Sequence, residues 1–394
     1  YLIHIDNSTS ILQLGKPNLP KVSTSIIIPD DLNMEIEILS AEYEEINNIL
    51  IAPSKGNLSR NVNPEMIKYS FGKVYEKDAF YPGNLSELGN PYIVKNIRGQ
   101  GVIFYPVQYN PLSQTVRIYN KIEVKIKSNG ISHYNILNRD NNQFELSREF
   151  YSIYKNLFIN SNQDLRFEYI PDYGNMLVIS YNNFIQDMQP LIDWKNKKGI
   201  KTEIIPVTEA GNTSEEIKDY IINYYNANGL TYLLLVGDAE QIPTPIINGS
   251  SSDPSYGFID GEDSFAEVIV GRFSAQNPAH VQTQVSKTLD YERNPIEVNH
   301  FDIALGIASN QGPGYGGLTD AEFNDLLWND FLSSFTYSEF DSVYDPSGSV
   351  SQGVELINNG IGIINYTGHS GPTGWGNGSP LGGGDVNGLV NTNK

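Results

Sequence analysis

The sequence predicts an α+β protein, with an N-terminal antiparallel β-sandwich over residues 1–166 followed by an α/β domain with a mostly parallel sheet over 167–394. Three observations predict it. Up to about residue 130 apolar and polar residues alternate with a period of two between Pro-, Gly- and Asn-rich turns. From Asn175 onward short apolar runs alternate with segments of helical period. Between the two lies a polar, turn-rich stretch suited to a domain boundary or an exposed cleavage site. A length of 394 residues agrees with more than one domain.

The elements follow in order. The run VSTSIIIPDDLNMEIEILSAEYEEI alternates on both sides of Pro29-Asp30-Asp31, a hairpin-like signal. Residues 53–64, rich in Pro, Gly, Ser and Asn, read as a long surface loop. A strand through Val102 to Tyr109, a turn at Asn110-Pro111 and a strand from Val116 to Ile126 repeat the pattern. From Glu145 to Phe158 the period changes, and Phe150, Tyr151, Tyr154 and Phe158 fall on one helical stripe. The runs NMLVIS, KTEIIPV, YLLLVGD, AEVIVGRF, DIALGIAS and GIGIINYTGH then read as strands, separated by helices that include Phe184 to Lys198, one opened by a Thr213/Glu216 capping box, and Val281 to Tyr291. Such repeats argue for a doubly wound, mostly parallel sheet, whose ligands sit at the carboxyl ends of the strands.

Composition narrows the function. A net charge of -20 repels phosphate backbones, so nucleic acid is a poor partner, while cationic peptides and calcium are better ones. There is no cysteine, which excludes disulfides, thiolate zinc sites and a thiol nucleophile within these residues. No apolar stretch is long enough to span a bilayer. The chain opens on a strand-like run without a signal-peptide pattern, so any such peptide is expected to have been removed. It closes on a Gly/Asn-rich loop, which suggests that it stops in mid-domain.

His369 is the most informative residue. It ends an apolar strand and precedes a glycine-rich loop that lets a substrate backbone approach, the setting of a general base; a hydrogen-bonding loop histidine is the bland alternative. His4, His133, His280 and His300 have no such setting. Asp260, Glu262, Asp263 and Glu267 crowd eight residues beside Gly261, and spaced oxygen ligands in a loop suit Ca²⁺, although a solvated acidic turn has the same composition. Gly237-Asp238 ends a strand, but no phosphate-loop motif accompanies it.

The run NYTGHSGPTGW resembles the motif around the catalytic histidine of gingipains, the caspase-like cysteine peptidases of Bacteroidota. LIDWKNKKGIKTEI, TYLLLVGDAEQIP, SYGFIDGEDSFAEVIVGRFSA and LDYERNP follow that family in order and spacing. GKPNLPKVS, IRGQGVIFYPVQYNP and YSIYKNLF resemble its propeptides. The resemblance implies a secreted or cell-surface bacterial zymogen: a prosegment, 1–166, acting as chaperone and inhibitor over a caspase-like catalytic domain that acts on protein or peptide substrates. It implies His369 as base, an oxyanion hole using backbone near Gly368, and a nucleophilic cysteine just beyond Lys394 or on a second polypeptide. Gln311 falls where the family places the acid that orients the histidine; a glutamine can accept a hydrogen bond from imidazole but cannot stabilise imidazolium by charge. Asp320 falls where Arg-specific members hold the S1 carboxylate, yet Thr319-Asp320 also opens a helix, where an aspartate is favoured on its own account. Structural calcium is implied for the acidic loop. Processing is implied between Arg166 and Phe167, because Arg166 is the single basic residue of the polar linker. Two alternatives remain: a catalytically silent relative serving surface binding, and a sortase-like transpeptidase serving secretion.

Overall fold

The computed structural model describes the chain except residues 4, 6, 7, 59–61, 63, 139–146, 162–171, 294–298, 313, 315, 316 and 392–394. In the N-terminal part, strands β1 (Thr9–Ser10), β2 (Pro20–Ile27), β3 (Leu32–Ile46), β4 (Ser86–Val94), β5 (Ile97–Phe104), β6 (Val107–Asn110) and β7 (Thr115–Ile131) form antiparallel sheets ordered β1-β2-β5-β4 and β3-β7-β6. The hairpin expected at Pro29-Asp30-Asp31 does not form, because β2 pairs with β5 and β3 with β7. The turn instead carries the chain from one sheet to the other. Pro106, which has no N–H for a ladder, divides the expected 102–109 strand into β5 and β6 in the same way. The hairpin at Asn110-Pro111 does form: β6 pairs with β7, and Asn110 Oδ1 accepts from the backbone N–H groups of Leu112 and Ser113. Arg98, fully buried, makes up for its lost hydration by donating to the carbonyls of Pro29, Leu32, Tyr134 and Asn135 and to Ser132 Oγ, which pins the inter-sheet turn.

Helix α1 (Arg148–Leu157) buries Phe150 and Tyr154 against Tyr92 and Val94 of β4, as its stripe predicts, with Phe158 just beyond its end in the same cluster. The α/β part follows: β8 (Asn175–Ser180), α2 (Ile185–Lys197), β9 (Lys201–Pro206), α3 (Val207–Ala210), α4 (Ser214–Asn228), β10 (Tyr232–Val236), the short pair β11 (Ile246–Ile247) and β12 (Ser250–Ser251), β13 (Ile269–Phe273), α5 (Pro278–Arg293), β14 (Ile303–Ala308), α6 (Asp320–Leu326), β15 (Glu339–Tyr344), α7 (Val350–Asn359), β16 (Ile363–Thr367), the pair β17 (Ser370–Gly371) and β18 (Gly374–Trp375), and α8 (Gly383–Asn387). The parallel strands make separate sheets, β13-β10-β8-β9 and β15-β14-β16, rather than the single sheet expected. An apolar run states that a strand is buried on both faces; it does not state which strand lies beside it. Leu177 and Ile179 of β8 pack with Ile217, Ile221 and Tyr225 of α4, whereas Val178 packs on the opposite face with Met188 of α2 and Val281 of α5. The capping box that opens α4 is present, with Thr213 Oγ1 and the Glu216 carboxylate exchanging bonds with each other's N–H.

The two parts meet at the acidic loop. Asp263 Oδ2 accepts from Ile93 N (2.9 Å) and Asn135 Nδ2 (3.1 Å), Glu262 N donates to Asn135 Oδ1, and Phe265 stacks on Tyr92 with centroids 4.1 Å apart. Lys95 and Glu267 are buried at the centre. Lys95 Nζ donates to the carbonyls of Leu230 (2.7 Å) and Glu267 (3.4 Å), while the Glu267 carboxylate accepts from the N–H groups of Lys95, Ile259 and Asp260. Burial pushes the Glu267 carboxyl up to about 8 against the pull of those N–H donors, and burial brings the Lys95 ammonium down to about 8. A docked Glu267 therefore keeps a proton that a released one loses above its ordinary 4.5, so this group's contribution to docking is full in acid and fades as pH rises from about 4.5 to 8. Glu267→Gln, which cannot ionise, is expected to flatten the loss of thermal stability between pH 5 and 8; an unchanged slope in thermal unfolding would show that Glu267 does not titrate there.

Candidate active site

The sheet β15-β14-β16 runs in the chain order 2-1-3, so its connections depart in opposite directions from β14 and leave a crevice at the carboxyl ends of β14 and β16. Ala308 lies opposite Thr367 across that pair, and Ser309 N continues the pairing by donating to Thr367 O (3.0 Å). Gln311 and His369 leave from these two ends and meet, with His369 Nε2 2.8 Å from Gln311 Oε1. The contact makes Nε2 the protonated ring nitrogen and leaves Nδ1 for proton exchange with a third group. His369 is exposed, as proton exchange with a substrate requires.

The backbone of His369 is held from the loop behind it. His369 N donates to Asn377 Oδ1 (2.9 Å), Gly376 N donates to His369 O (2.8 Å), and the Tyr366 hydroxyl also donates to His369 O. Tyr366 is in turn stacked on Trp375, 4.7 Å between centroids and 9° from parallel. Asp345, just past β15, accepts from Asn377 Nδ2 (2.8 Å) and Gly378 N (2.9 Å). All three strand ends thus contribute to the placement of one imidazole.

Asp320 opens α6 but is not its cap: Thr319 is, in a capping box with Glu322. The Asp320 side chain is 3% exposed and turns toward the crevice, where its Oδ2 accepts from Ser309 Oγ at 2.5 Å. Asn324, one turn on, donates to Thr367 Oγ1 and fixes α6 against β16. Gly368 links β16 to His369, where a backbone N–H can serve a developing oxyanion. The structure thus brings His369, Gly368, Gln311 and Asp320 together; the contacts of Ser309, Asp345 and Asn377 carry no motif and had no sequence signal. Arg166 and Phe167 lie outside the described residues.

The acidic loop lies apart, at the junction of the two parts. Two of its four carboxyl groups accept from protein donors: Glu267 from three N–H groups, Asp263 from Ile93, Asn135 and Phe265. Among the described residues no group of three or more metal-ligating side chains is arranged to hold an ion. No helix among the described residues is long and apolar enough to cross a membrane.

The profile of Peptidase family C25 matches residues 170–394, and that of its propeptide, Propeptide_C25, matches residues 2–158. The chain is 35% identical to gingipain R1 of Porphyromonas gingivalis over 98% of its own length and 39% of that protein's. It is also 35% identical to gingipain R2 of strain W83, covering 98% of itself and 53% of that protein. A crystal structure of the Arg-specific cysteine proteinase gingipain R superposes with a TM-score of 0.53 at 34% identity, over 56% of this chain and 52% of that one. The chain therefore spans about half the length, or less, of these relatives.

Gly378 tests the support of His369. It has φ +63°, and an added Cβ would lie 2.4 Å from Val343 O, whereas a Cβ on Gly371 would meet nothing within 4 Å. Gly378→Ala is expected to lower stability by roughly 1–3 kcal/mol in denaturant unfolding. Gly371→Ala should change it by no more than about 0.5 kcal/mol. Equal effects would mean that the 376–378 loop adapts freely.

Proposed function

Because this chain belongs to peptidase family C25, we propose that it carries the prosegment and the histidine half of the active site of a secreted, gingipain-like cysteine endopeptidase that cleaves after arginine. The observation that carries the reading is the 2.8 Å contact of His369 with Gln311 at the switch point of a parallel sheet. With Nε2–H held by Gln311, Nδ1 takes the proton of a cysteine thiol supplied from outside these residues, which contain none. The thiolate attacks the scissile carbonyl, and the oxyanion is met by the backbone N–H groups of Gly368 and of the cysteine. The imidazolium then returns its proton to the leaving amine, and water releases the acyl group by the same base. Asp320, buried beside the imidazole's support, offers a carboxylate to the guanidinium of the substrate.

On this reading the caspase-like unit is the one built on β15-β14-β16, and residues 1–166 form a β-sandwich inhibitor released by a cut between Arg166 and Phe167. Release would strip Asp263 and Glu267 of their donors from Ile93, Asn135 and Lys95, leaving four carboxylates within eight residues, a set that favours a cation. Calcium is thus assigned to the processed form. It is expected to raise the melting temperature of that form and not of the intact chain; no effect on the processed form removes calcium from the account. Gln311, a neutral group where the family's resemblance implies an acid, is the observation that favours a silent relative.

Two variants of the cysteine-bearing protein separate these readings. Arg166→Ala is expected to remain unprocessed on N-terminal sequencing. Asp320→Ala is expected to cut turnover of Arg substrates roughly 30- to 160-fold, the scale set by a lost charge-assisted contact of about 2–3 kcal/mol. A mature start far from Phe167, or unchanged Arg preference, contradicts the corresponding assignment. A native protein that turns over no peptide at all would support the silent relative.

A further inference from the structure

Ser309 is fully buried and stands between groups that the proposed function already uses. Its N–H donates to Thr367 O (3.0 Å), which fixes it to the strand that leads into His369. Its hydroxyl donates to Asp320 Oδ2 (2.5 Å), and the same oxygen accepts from Gln311 N (3.1 Å). The loop closes through Asp320 N, which donates to Gln311 O (2.8 Å). Gln311 is therefore gripped at both ends of its backbone, at N–H by Ser309 and at C=O by Asp320, while its side chain reaches His369 Nε2 at 2.8 Å.

The geometry points to Ser309 as a positioning residue that couples the substrate-recognition carboxylate, Asp320, to the amide that orients the catalytic imidazole. The inference rests on the roles given above to Asp320, Gln311 and His369. Its physical content is directional. A serine hydroxyl has one proton to give, and an acceptor as strong as a buried carboxylate fixes where that proton points. The lone pairs are then aimed at Gln311 N, which could not bond to the hydroxyl if the proton were turned toward it. A carboxylate set to receive a cationic side chain thus also sets the hydroxyl rotor that aligns the base. The acceptor, rather than the charge, is what the alignment requires. Asparagine at position 320 should preserve the alignment while abolishing charge recognition, and alanine should lose both.

The test reads His369 in the 394-residue chain itself. Histidines are labelled with nitrogen-15, the His369 signal is identified by its loss in His369→Ala, and exchange of its Nε2 proton with water is measured by NMR. Gln311→Ala sets the exchange rate of an unheld ring. Ser309→Ala and Asp320→Ala are expected to speed exchange roughly fivefold or more, toward that rate, as the loss of a single net hydrogen bond implies. Ser309→Thr and Asp320→Asn should keep the native rate. Native exchange in a folded Ser309→Ala overturns the proposal. So does slow exchange in both Asp320 variants, which decides the matter should Ser309→Ala fail to fold. Failure of the underlying reading shows elsewhere: if Asp320→Asn in the cysteine-bearing enzyme keeps its preference for Arg substrates, Asp320 is not the recognition carboxylate, whatever the exchange rates are.

Discussion

The parallel pairing of β14 with β16, with Ala308 opposite Thr367, is the constraint on which the rest of the site depends. Parallel neighbours must be joined by a crossover, here made by α6, β15 and α7, so the two strands end on the same side although they lie far apart in sequence. Gln311 and His369 sit just beyond those ends, 58 residues apart in sequence and 2.8 Å apart in space. A register slip of one residue would turn every side chain of β16 to the opposite face. The polar contacts of Asn324 on α6 with Asn365 and Thr367 of β16 resist such a slip, because both would be lost on moving β16 by one residue.

Carboxyl groups, buried at Asp320 and Glu267 and half-buried at Asp263 and Asp345, do much of the remaining work by accepting from neutral donors. Asp345 holds the loop behind His369, Asp320 holds Ser309, and Asp263 and Glu267 hold the N-terminal part. A chain with 46 acidic and 26 basic side chains cannot neutralise its carboxylates pairwise, so those that are buried must be met by N–H and O–H groups. The two sets of contacts also divide the labour between fold and chemistry. Contacts at the acidic loop join the N-terminal part to the α/β part, and contacts at the ends of β14 and β16 place the imidazole.

The place of His369 was legible in the sequence, because an apolar strand followed by glycines puts it at a carboxyl strand end, and the role proposed for it came from the resemblance of the surrounding motif. Gln311 and Asp320 were legible through family resemblance alone, and the neutral residue at 311 gave no local sign of its partner. The contacts of Ser309, Asp345 and Asn377 were not legible, since they exist only once the strands are in register. Lys95 was hidden for the same reason: its partners Leu230 and Glu267 are 135 and 172 residues away. The strand β15 escaped because half of EFDSVY is polar and it forms no continuous apolar run, as an edge strand may be. Local period located the longer parallel strands and most of the long antiparallel ones, but not β4, the two-residue strands, the division of the parallel strands into two sheets or the change of sheet at Pro29-Asp30-Asp31.

The central claim is that His369, held by Gln311, is the base for a cysteine contributed from outside these residues. Labelling of the cysteine-bearing protein with an arginyl acyloxymethyl ketone, followed by mass spectrometry, tests it most directly. The account predicts a single modified cysteine outside these 394 residues, with labelling slowed at least about 100-fold in His369→Ala, the scale of a general base's contribution. Labelling at the native rate without His369, or no labelled cysteine in the processed protein, would contradict it.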